Sequence, residues 1–257
     1  MSRAGELSEA DAEARRRAAK LWLVSTPIGN IGDLSARAVE VLAQAGAIAC
    51  EDTRVTRVLL EQAGLTDKRL IACHDHNEAA SAGGVVKLIA GGQHVALVSD
   101  AGAPAISDPG YRVVRAVIEA GFEVTSVPGP SAVIAALSVS GLPTDQFAFL
   151  GFPPRKPGKR AKLFEARAED PATLVLFESP QRLAETLAAA QDALGDRNAA
   201  VCFELTKAFE RVHRGALSTL APLYADAPKG EAVVVIEGAR VKREHRNKYA
   251  PDGGKKR

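Results

Sequence analysis

The chain has 257 residues, of which 46% are hydrophobic and 25% are charged. A chain of this length and composition buries one large core or two modest ones, which excludes a disulfide-stapled miniprotein and a disordered polymer. Lysine and arginine number 33 against 31 aspartates and glutamates, for a net charge of +2. The chain is therefore not uniformly basic, and any contact with nucleic acid is confined to part of its surface.

Three widely spaced cysteines, Cys50, Cys73 and Cys202, are embedded in apolar runs. Their odd number and their setting predict buried, reduced thiols rather than a disulfide framework. No stretch approaches the roughly 20 apolar residues of a membrane span, and the N-terminal segment contains no apolar signal region. These features predict a cytoplasmic protein that does not contact a membrane.

Residues 1–20 are polar and rich in alanine, arginine and glutamate, which predicts a flexible N-terminal extension. From Leu21 the chain alternates short apolar runs with amphipathic segments, a pattern typical of an α/β domain with a mostly parallel sheet. We predict strands at 21–25, 47–50, 70–73, 94–99 and 122–127, and helices at 35–45, 54–63, 77–90 and 109–120.

Two prolines around a glycine, in residues 127–130, interrupt this alternation and predict a domain boundary. The first α/β domain is then 21–127 and the second is 128–239. In the second domain we predict helices at 131–139, 159–168, 181–193 and 216–224, and strands at 146–150, 172–177, 199–204, 209–214 and 232–237. Residues 240–257 carry eight basic side chains against two acidic ones, which predicts a disordered basic tail that attracts phosphate when it has a use.

Loops that follow strands are the expected ligand sites of open α/β sheets. Residues 26–33 (TPIGNIGD) allow a close backbone approach, and they are equally typical of an ordinary turn that ends in helix caps. Residues 99–110 (SDAGAPAISDPG) are longer than the roughly 2–6 residues of a tight connection, which indicates a ligand surface. Asp100 can accept hydrogen bonds from a ligand there, and Ser107 or Asp108 is the predicted cap of the next helix.

A third loop, residues 128–132 (PGPSA), puts Ser131 at a predicted helix start. Its hydroxyl and the free N–H groups either cap the helix or hold a ligand carboxylate. His74 and His76 form the one metal-like cluster, but no second ligand group has suitable spacing, so we predict no metal site. The chain contains neither a G-x-S-x-G elbow nor a P-loop, so hydrolase and NTPase activities lack their motifs.

Seven motifs resemble, in their order along the chain, the tetrapyrrole-methylase superfamily and, within it, the branch that methylates ribosomal RNA. They are TPIGN (26–30), CEDTR (50–54), SDAGAPAISDPG (99–110), PGPSA (128–132), GFPPRK (151–156), FESP (177–180) and ELTK (204–207). The resemblance spans residues 21–238. It implies two α/β domains with S-adenosylmethionine in the cleft between them, and a homodimer.

The resemblance also implies a reaction, in which the methyl group goes to the ribose 2′-hydroxyl of a decoding-centre cytidine in 16S ribosomal RNA, either free or in the 30S particle. Two alternatives stay open, a methylase of a corrin or porphyrin precursor and a non-catalytic RNA-binding assembly factor. The implied cofactor contacts, mostly through backbone groups, are Ile28, Asp100, Ala103, Ser131, Ala132, Phe177, Leu205, Gly230, Glu231 and Ala232.

A ribose hydroxyl is a weak acid, so a general base near the attacking oxygen would assist the transfer. By resemblance, the candidates are Glu178, Lys207 if burial lowers its pKa, and Asp52 or Asn30 as orienting groups. Relatives carry YESPHR where this chain has FESPQR at 177–182, which excludes a tyrosine or histidine base in that motif.

Residues 153–162 (PPRKPGKRAK) carry five positive charges and no negative one. In a nearly neutral chain this concentration of charge predicts RNA contacts at Arg155, Lys156, Lys159 and Arg160, although a solvated charged loop has the same composition. Many relatives end in a helical extension that resembles a nucleic-acid-binding module, where this chain has its short basic tail.

Overall fold

The structure is a computed structural model that describes residues 18–74, 77–226 and 229–240. Two five-stranded sheets follow one another along the described chain. The first has the order β3-β2-β4-β1-β5 with parallel neighbours throughout. Its elements are β1 (Lys20–Val24), α1 (Ala36–Gln44), β2 (Ala47–Cys50), α2 (Thr53–Gln62), β3 (Leu70–Ala72), α3 (Glu78–Ala90), β4 (Val95–Val98), α4 (Tyr111–Glu119) and β5 (Glu123–Val127), with a 3₁₀ turn at Ile31–Asp33.

The second sheet is mixed, with the order β6-β7-β10-β8-β9. β6 and β7 are parallel, and the other neighbours are antiparallel. The last strand in the sequence is therefore the central strand of this sheet. Its elements are α5 (Ala132–Ser140), β6 (Phe147–Phe149), α6 (Pro157–Glu165), β7 (Thr173–Glu178), α7 (Leu183–Leu194), β8 (Asn198–Phe203), β9 (Arg211–Ala216), α8 (Leu217–Leu220) and β10 (Ala232–Ile236), with 3₁₀ turns at Pro180–Arg182 and Ala221–Tyr224.

Helices cover both faces of the second sheet. Val133 and Leu137 of α5 pack with Val175 and other apolar residues of the strands on one face. On the other face, α6, α7 and α8 form a larger apolar cluster around Phe164 and Leu187. Burial of the apolar side chains on both faces of the sheet is the main source of stability for such a layered arrangement.

The predicted α/β fold with two halves is confirmed, and each predicted strand and helix is present within about three residues of its predicted bounds. The predicted helix at 216–224 is a short α-helix continued by a 3₁₀ turn. The first sheet ends at β5, and α5 packs on the second sheet, but the boundary between residues 127 and 128 stays a prediction. The extension predicted at 1–20 and the tail at 240–257 lie almost entirely outside the described residues.

The predicted start of α4 is wrong. Neither Ser107 nor Asp108 caps this helix, which begins at Tyr111 after Gly110. The buried carboxylate of Glu78, at the start of α3, accepts the N–H groups of Gly110 and Arg112 at 2.9 and 2.8 Å. A side chain from another helix thus replaces the local cap.

Candidate functional site

The three loops named above meet at the carboxyl ends of the first sheet's strands. The N–H of Thr26 donates to the carbonyl of Gly102 at 2.9 Å, and the N–H of Gly102 donates to the carbonyl of Thr26 at 3.1 Å. A Cβ atom on Gly102 would lie 3.7 Å from the carbonyl oxygen of Pro130, so the third loop touches the same point. The loops therefore form one continuous wall facing the second sheet.

A cavity of about 330 Å³ lies between this wall and the second sheet. Its volume falls within the range of about 300–1,000 Å³ that is typical of small-molecule sites. Nine of the ten predicted cofactor contacts line it, and the tenth, Asp100, lines a neighbouring cavity. The nine are Ile28, Ala103, Ser131, Ala132, Phe177, Leu205, Gly230, Glu231 and Ala232.

The backbone approaches this first cavity closely at Gly230, which has a φ of +149°. A Cβ atom there would lie 2.7 Å from Cζ of Phe203 and 2.9 Å from Oε1 of Glu204, so only glycine fits. Ser131 is the N-cap of α5, and its side chain makes no capping hydrogen bond within the described chain. The N–H groups of the first turn are thus available to an anionic group in the cavity.

The loops around the cleft hold strained backbone. Five non-glycine residues of the described chain have positive φ, and four of them lie in the two loops at 99–110 and 204–210. Such conformations cost of order 1–3 kcal/mol each and concentrate at functional sites. The four are Ala105, Ser107, Glu204 and Thr206, with φ between +52° and +66°.

A second cavity of about 290 Å³ adjoins the first and shares Ile28, Ala101 and Glu231 with it. One side is apolar and is built largely from Ile31 and the outer face of α2. The other side is charged. The apolar side includes the exposed side chains of Ile31, Val55 and Val58, and the charged side includes Asp100, Lys207 and Glu231.

Lys207 is held as a cation between two carboxylates. Its Nζ lies 3.0 Å from Oε1 of Glu204 and 2.9 Å from Oε2 of Glu231. Partial burial opposes the charge, but the hydrogen bonds to Glu231 and Glu204 outweigh it and raise the pKa of Lys207. The predicted role as a general base required a lowered pKa, so that prediction is wrong, because an ammonium group can donate a proton but cannot accept one.

Glu178 is buried at the end of β7, and its carboxylate is engaged by the protein itself. It accepts from Oγ1 of Thr186 at 2.6 Å and from the N–H of Ser179 at 2.8 Å, and Nη2 of Arg182 lies 3.2 Å away. Glu178 lines the first cavity, so its role as a base stays a prediction, and its carboxylate also holds Arg182 in place.

Asp52, Asn30 and Asp100 lie in different settings. Asp52 caps α2, and the hydrogen bonds from Arg54 lower its pKa to about 2. Asn30 is exposed and caps the 3₁₀ turn by accepting the N–H of Gly32 at 2.9 Å, and it is not among the residues that line either cavity in the described chain. The N–H of Asp52 donates to Oδ1 of Asp100 at 3.1 Å. Burial nevertheless raises the pKa of Asp100.

The predicted RNA-contacting residues divide into two groups. Arg155, Lys156 and Lys159 are exposed. Arg160 is buried, with only 3% of its surface exposed, and its Nη2 lies 3.0 Å from Oε2 of Glu185 on α7. The prediction for Arg160 is wrong, because α6 begins at Pro157 and turns this side chain toward α7.

Several residues that line the first cavity are not among the predicted cofactor contacts. Phe152 lies within the quoted GFPPRK motif, and Gly102 lies within the second loop, so a signal was available for both. Cys202 and Val233 are interior strand residues whose composition carries no functional signal. The lining residues outside the predicted cofactor contacts and Glu178 are Ala101, Gly102, Ile106, Ser107, Asp108, Val133, Phe152, Ser179, Cys202 and Val233.

Other sequence expectations meet the structure only in part. All three cysteines are buried and unbridged. Within the described ranges, no group of three or more His, Cys, Asp or Glu side chains could hold a metal ion, and His76 lies outside those ranges. None of the helices described here is long and apolar enough to cross a membrane.

Comparison with known proteins identifies the family. The model of the tetrapyrrole (corrin/porphyrin) methylases matches residues 20–221. A protein of Mesorhizobium japonicum named ribosomal RNA small subunit methyltransferase I is 50% identical over 239 residues, which are 92% of this chain and 81% of that protein. One of the same name from Escherichia coli O157:H7 is 42% identical over 88% of this chain and 80% of its own length.

The fold has solved counterparts. The crystal structure of the methyltransferase CobJ matches with a TM-score of 0.65 and 18% identity, over 87% of this chain and 97% of CobJ. The family match and the relatives show a methyltransferase, and its fold has two α/β halves around a ligand cavity. The chain belongs to the tetrapyrrole methylase family, in the branch of sequences named ribosomal RNA small subunit methyltransferase I.

Proposed function

We propose that the protein transfers the methyl group of S-adenosylmethionine to small-subunit ribosomal RNA, at the ribose 2′-hydroxyl of a decoding-centre cytidine. The observation that carries the proposal is the pair of adjoining cavities that share Ile28, Ala101 and Glu231. A methyl donor in one cavity and an acceptor in the other would meet where the two cavities adjoin, beside these three residues. The names of the relatives support RNA, rather than a tetrapyrrole, as the acceptor.

The first cavity fits S-adenosylmethionine by its size and by its donors. Small residues such as Ala103 and Ala132 and the glycine at 230 expose backbone N–H and C=O groups, which suit the adenosine part. The uncapped first turn of α5, next to Ser131, suits the carboxylate of the methionine part. When bound, this cofactor supplies an electrophilic methyl group on a positively charged sulfur.

The second cavity fits a nucleoside. The apolar side chains of Val55 and Val58 offer a surface for the base, and Asp100, Lys207 and Glu231 offer polar partners for the ribose. Asp100 is the group that accepts the hydroxyl proton, because it lines the cavity that holds the ribose; burial also raises its pKa. Lys207 donates a hydrogen bond to the acceptor oxygen and keeps its own proton. The rest of the cleft aligns the reactants and excludes water.

Methyl transfer to 30S particles tests the proposal. The wild-type enzyme is incubated with tritiated S-adenosylmethionine and particles from a strain that lacks the modification, and the labelled nucleoside is identified by mass spectrometry. We expect 2′-O-methylcytidine. Binding of the cofactor without RNA labelling, together with labelling of a corrin or porphyrin precursor, would favour the small-molecule alternative. Absence of cofactor binding in calorimetry would leave only the non-catalytic assembly factor.

A further inference from the structure

An aromatic ring stands at the mouth of the first cavity. Phe152 lines this cavity, yet 61% of its surface is exposed. Its ring packs edge to face against Phe177, with centroids 5.5 Å apart, and Phe177 packs against Phe149 at 4.9 Å. Contact of a large apolar ring with water is unfavourable. A ligand that covers the ring at the cavity mouth removes this cost, so the position suits such a ligand.

The loop that carries Phe152 is fixed at both ends. The N–H of Phe177 donates to the carbonyl of Gly151 at 2.9 Å. Nη2 of Arg182 donates to the carbonyls of Pro153 at 2.9 Å and Pro154 at 3.2 Å. Glu178, which contacts Nη2 of Arg182, holds that guanidinium in place. The ring therefore has a defined position and loses little conformational entropy when a ligand contacts it.

Positive charge follows directly along the chain. Arg155, Lys156 and Lys159 are exposed, and the segment 151–164 contains no acidic residue. The side chains of Lys and Arg next to an exposed aromatic ring are the combination that binds single-stranded nucleic acid, because the cations contact phosphates and the ring stacks on a base.

We propose that Phe152 is a stacking platform for a nucleobase in the single-stranded RNA segment that carries the target nucleotide, with Arg155, Lys156 and Lys159 on the adjacent phosphates. This inference rests on the proposed function, and it names the state of the RNA that the site accepts. A base in a duplex is already stacked and cannot lie on the ring. The Glu178–Arg182 pair acts as a positioning device for the platform.

Three substitutions of Phe152 test the inference. Phe152→Ala and Phe152→Leu remove the aromatic face, and Phe152→Trp keeps it. Affinity for a fluorescein-labelled single-stranded oligocytidylate is measured by anisotropy, and affinity for S-adenosylmethionine by calorimetry. We expect the Ala and Leu variants to bind the RNA about 5- to 150-fold more weakly, as loss of one stacked base predicts, while Trp restores the affinity.

The matched control is Phe147→Ala, which removes another exposed phenylalanine of the same domain that lies on β6. RNA affinity and affinity for S-adenosylmethionine should not change in this control. In Phe152→Ala, which alters the lining of the cofactor cavity, we expect affinity for S-adenosylmethionine to fall by a smaller factor than affinity for RNA. An equal or larger loss of cofactor affinity would overturn the inference, because the ring would then serve the cofactor rather than the RNA. Equal RNA binding by the Leu and Trp variants, or no RNA binding by the wild type, would also overturn it. Failure of the proposed function is a separate result, namely no methylation of 30S particles by the wild type.

Discussion

The pKa values of two titratable side chains of the second cavity, Lys207 and Asp100, are raised by different causes. Lys207 is an ammonium group because Glu204 and Glu231 lie within 3.0 Å of its Nζ. Asp100 has a raised pKa because it is partly buried. Shifted pKa values of titratable groups that line one cavity are more frequent at functional sites than elsewhere. The residue types alone did not reveal this, since Glu231 lies 24 positions after Lys207 in the chain.

We predict that Asp100→Asn lowers kcat about 10²- to 10⁴-fold, the usual contribution of a positioned base. In the wild type, kcat/KM should rise with pH as the carboxyl group of Asp100 ionises, with an inflection above the ordinary aspartate range because its pKa is raised. Activity should not fall again near neutral pH, because the raised pKa of Lys207 keeps its proton in place. Rates of methyl transfer from mild acid to mild alkali provide the measurement.

The control is Asp192→Asn, which changes an exposed aspartate on α7. It should leave both the rate and its pH dependence as in the wild type. An Asp100→Asn enzyme that keeps the wild-type inflection would show that another group accepts the proton.

Among the elements, α4 depends on a residue of α3. Glu78 is buried and accepts two N–H groups at the start of α4, which also ends the loop at 99–110 that forms one wall of the cleft. We predict that Glu78→Ala lowers the free energy of unfolding by about 1–3 kcal/mol, the cost of leaving buried donors unpaired. Urea denaturation followed by circular dichroism measures this change.

The matched control is Glu119→Ala at the other end of α4. Glu119 forms an exposed pair with Arg115 one turn away, at 2.7 Å. Removing such a pair should change the free energy of unfolding by no more than about 0.5 kcal/mol. Equal effects of the two substitutions would mean that Glu78 does not cap α4 in solution.

Periodicity predicted the elements well, and the errors have particular causes. Strands such as β2 are short, wholly apolar and flanked by polar turns, so the local sequence is sufficient to predict their position. The cap of α4 is not local, because Glu78 lies 32 positions before Gly110. Arg160 was assigned by charge composition, yet it lies four positions before the buried Phe164 on the inner face of α6, a spacing that already indicated burial.

The whole molecule is nearly neutral, but its charge is unevenly placed. A net charge of +2 is combined with the exposed basic row at Arg155, Lys156 and Lys159. Long-range attraction is therefore small, and RNA affinity should depend on a few local phosphate contacts. The homodimer and the cytoplasmic location expected from the sequence stay predictions for the molecule as a whole.

We predict that Lys156→Ala weakens RNA binding and also reduces its salt dependence. Each phosphate contact with single-stranded RNA contributes about −0.7 to the slope of log K against log salt, so the slope should become shallower by about that amount. Anisotropy titrations over a range of KCl concentrations provide the measurement. The control is Lys87→Ala, which changes an exposed lysine on α3 and should leave the slope as it is. An unchanged slope for Lys156→Ala would remove this lysine from the RNA interface.

The central position of β10 determines when the second sheet can fold during translation. The strands of the first sheet all lie before residue 128, so that sheet can close while the rest of the chain is still being translated. The second sheet cannot, because its middle strand, Ala232–Ile236, follows its other four strands in the sequence. Until β10 has been added, β7 and β8 have unpaired edges whose N–H and C=O groups can pair with other strands. The second sheet, and with it the cleft between the two sheets, is therefore complete only after all five of its strands have been synthesised.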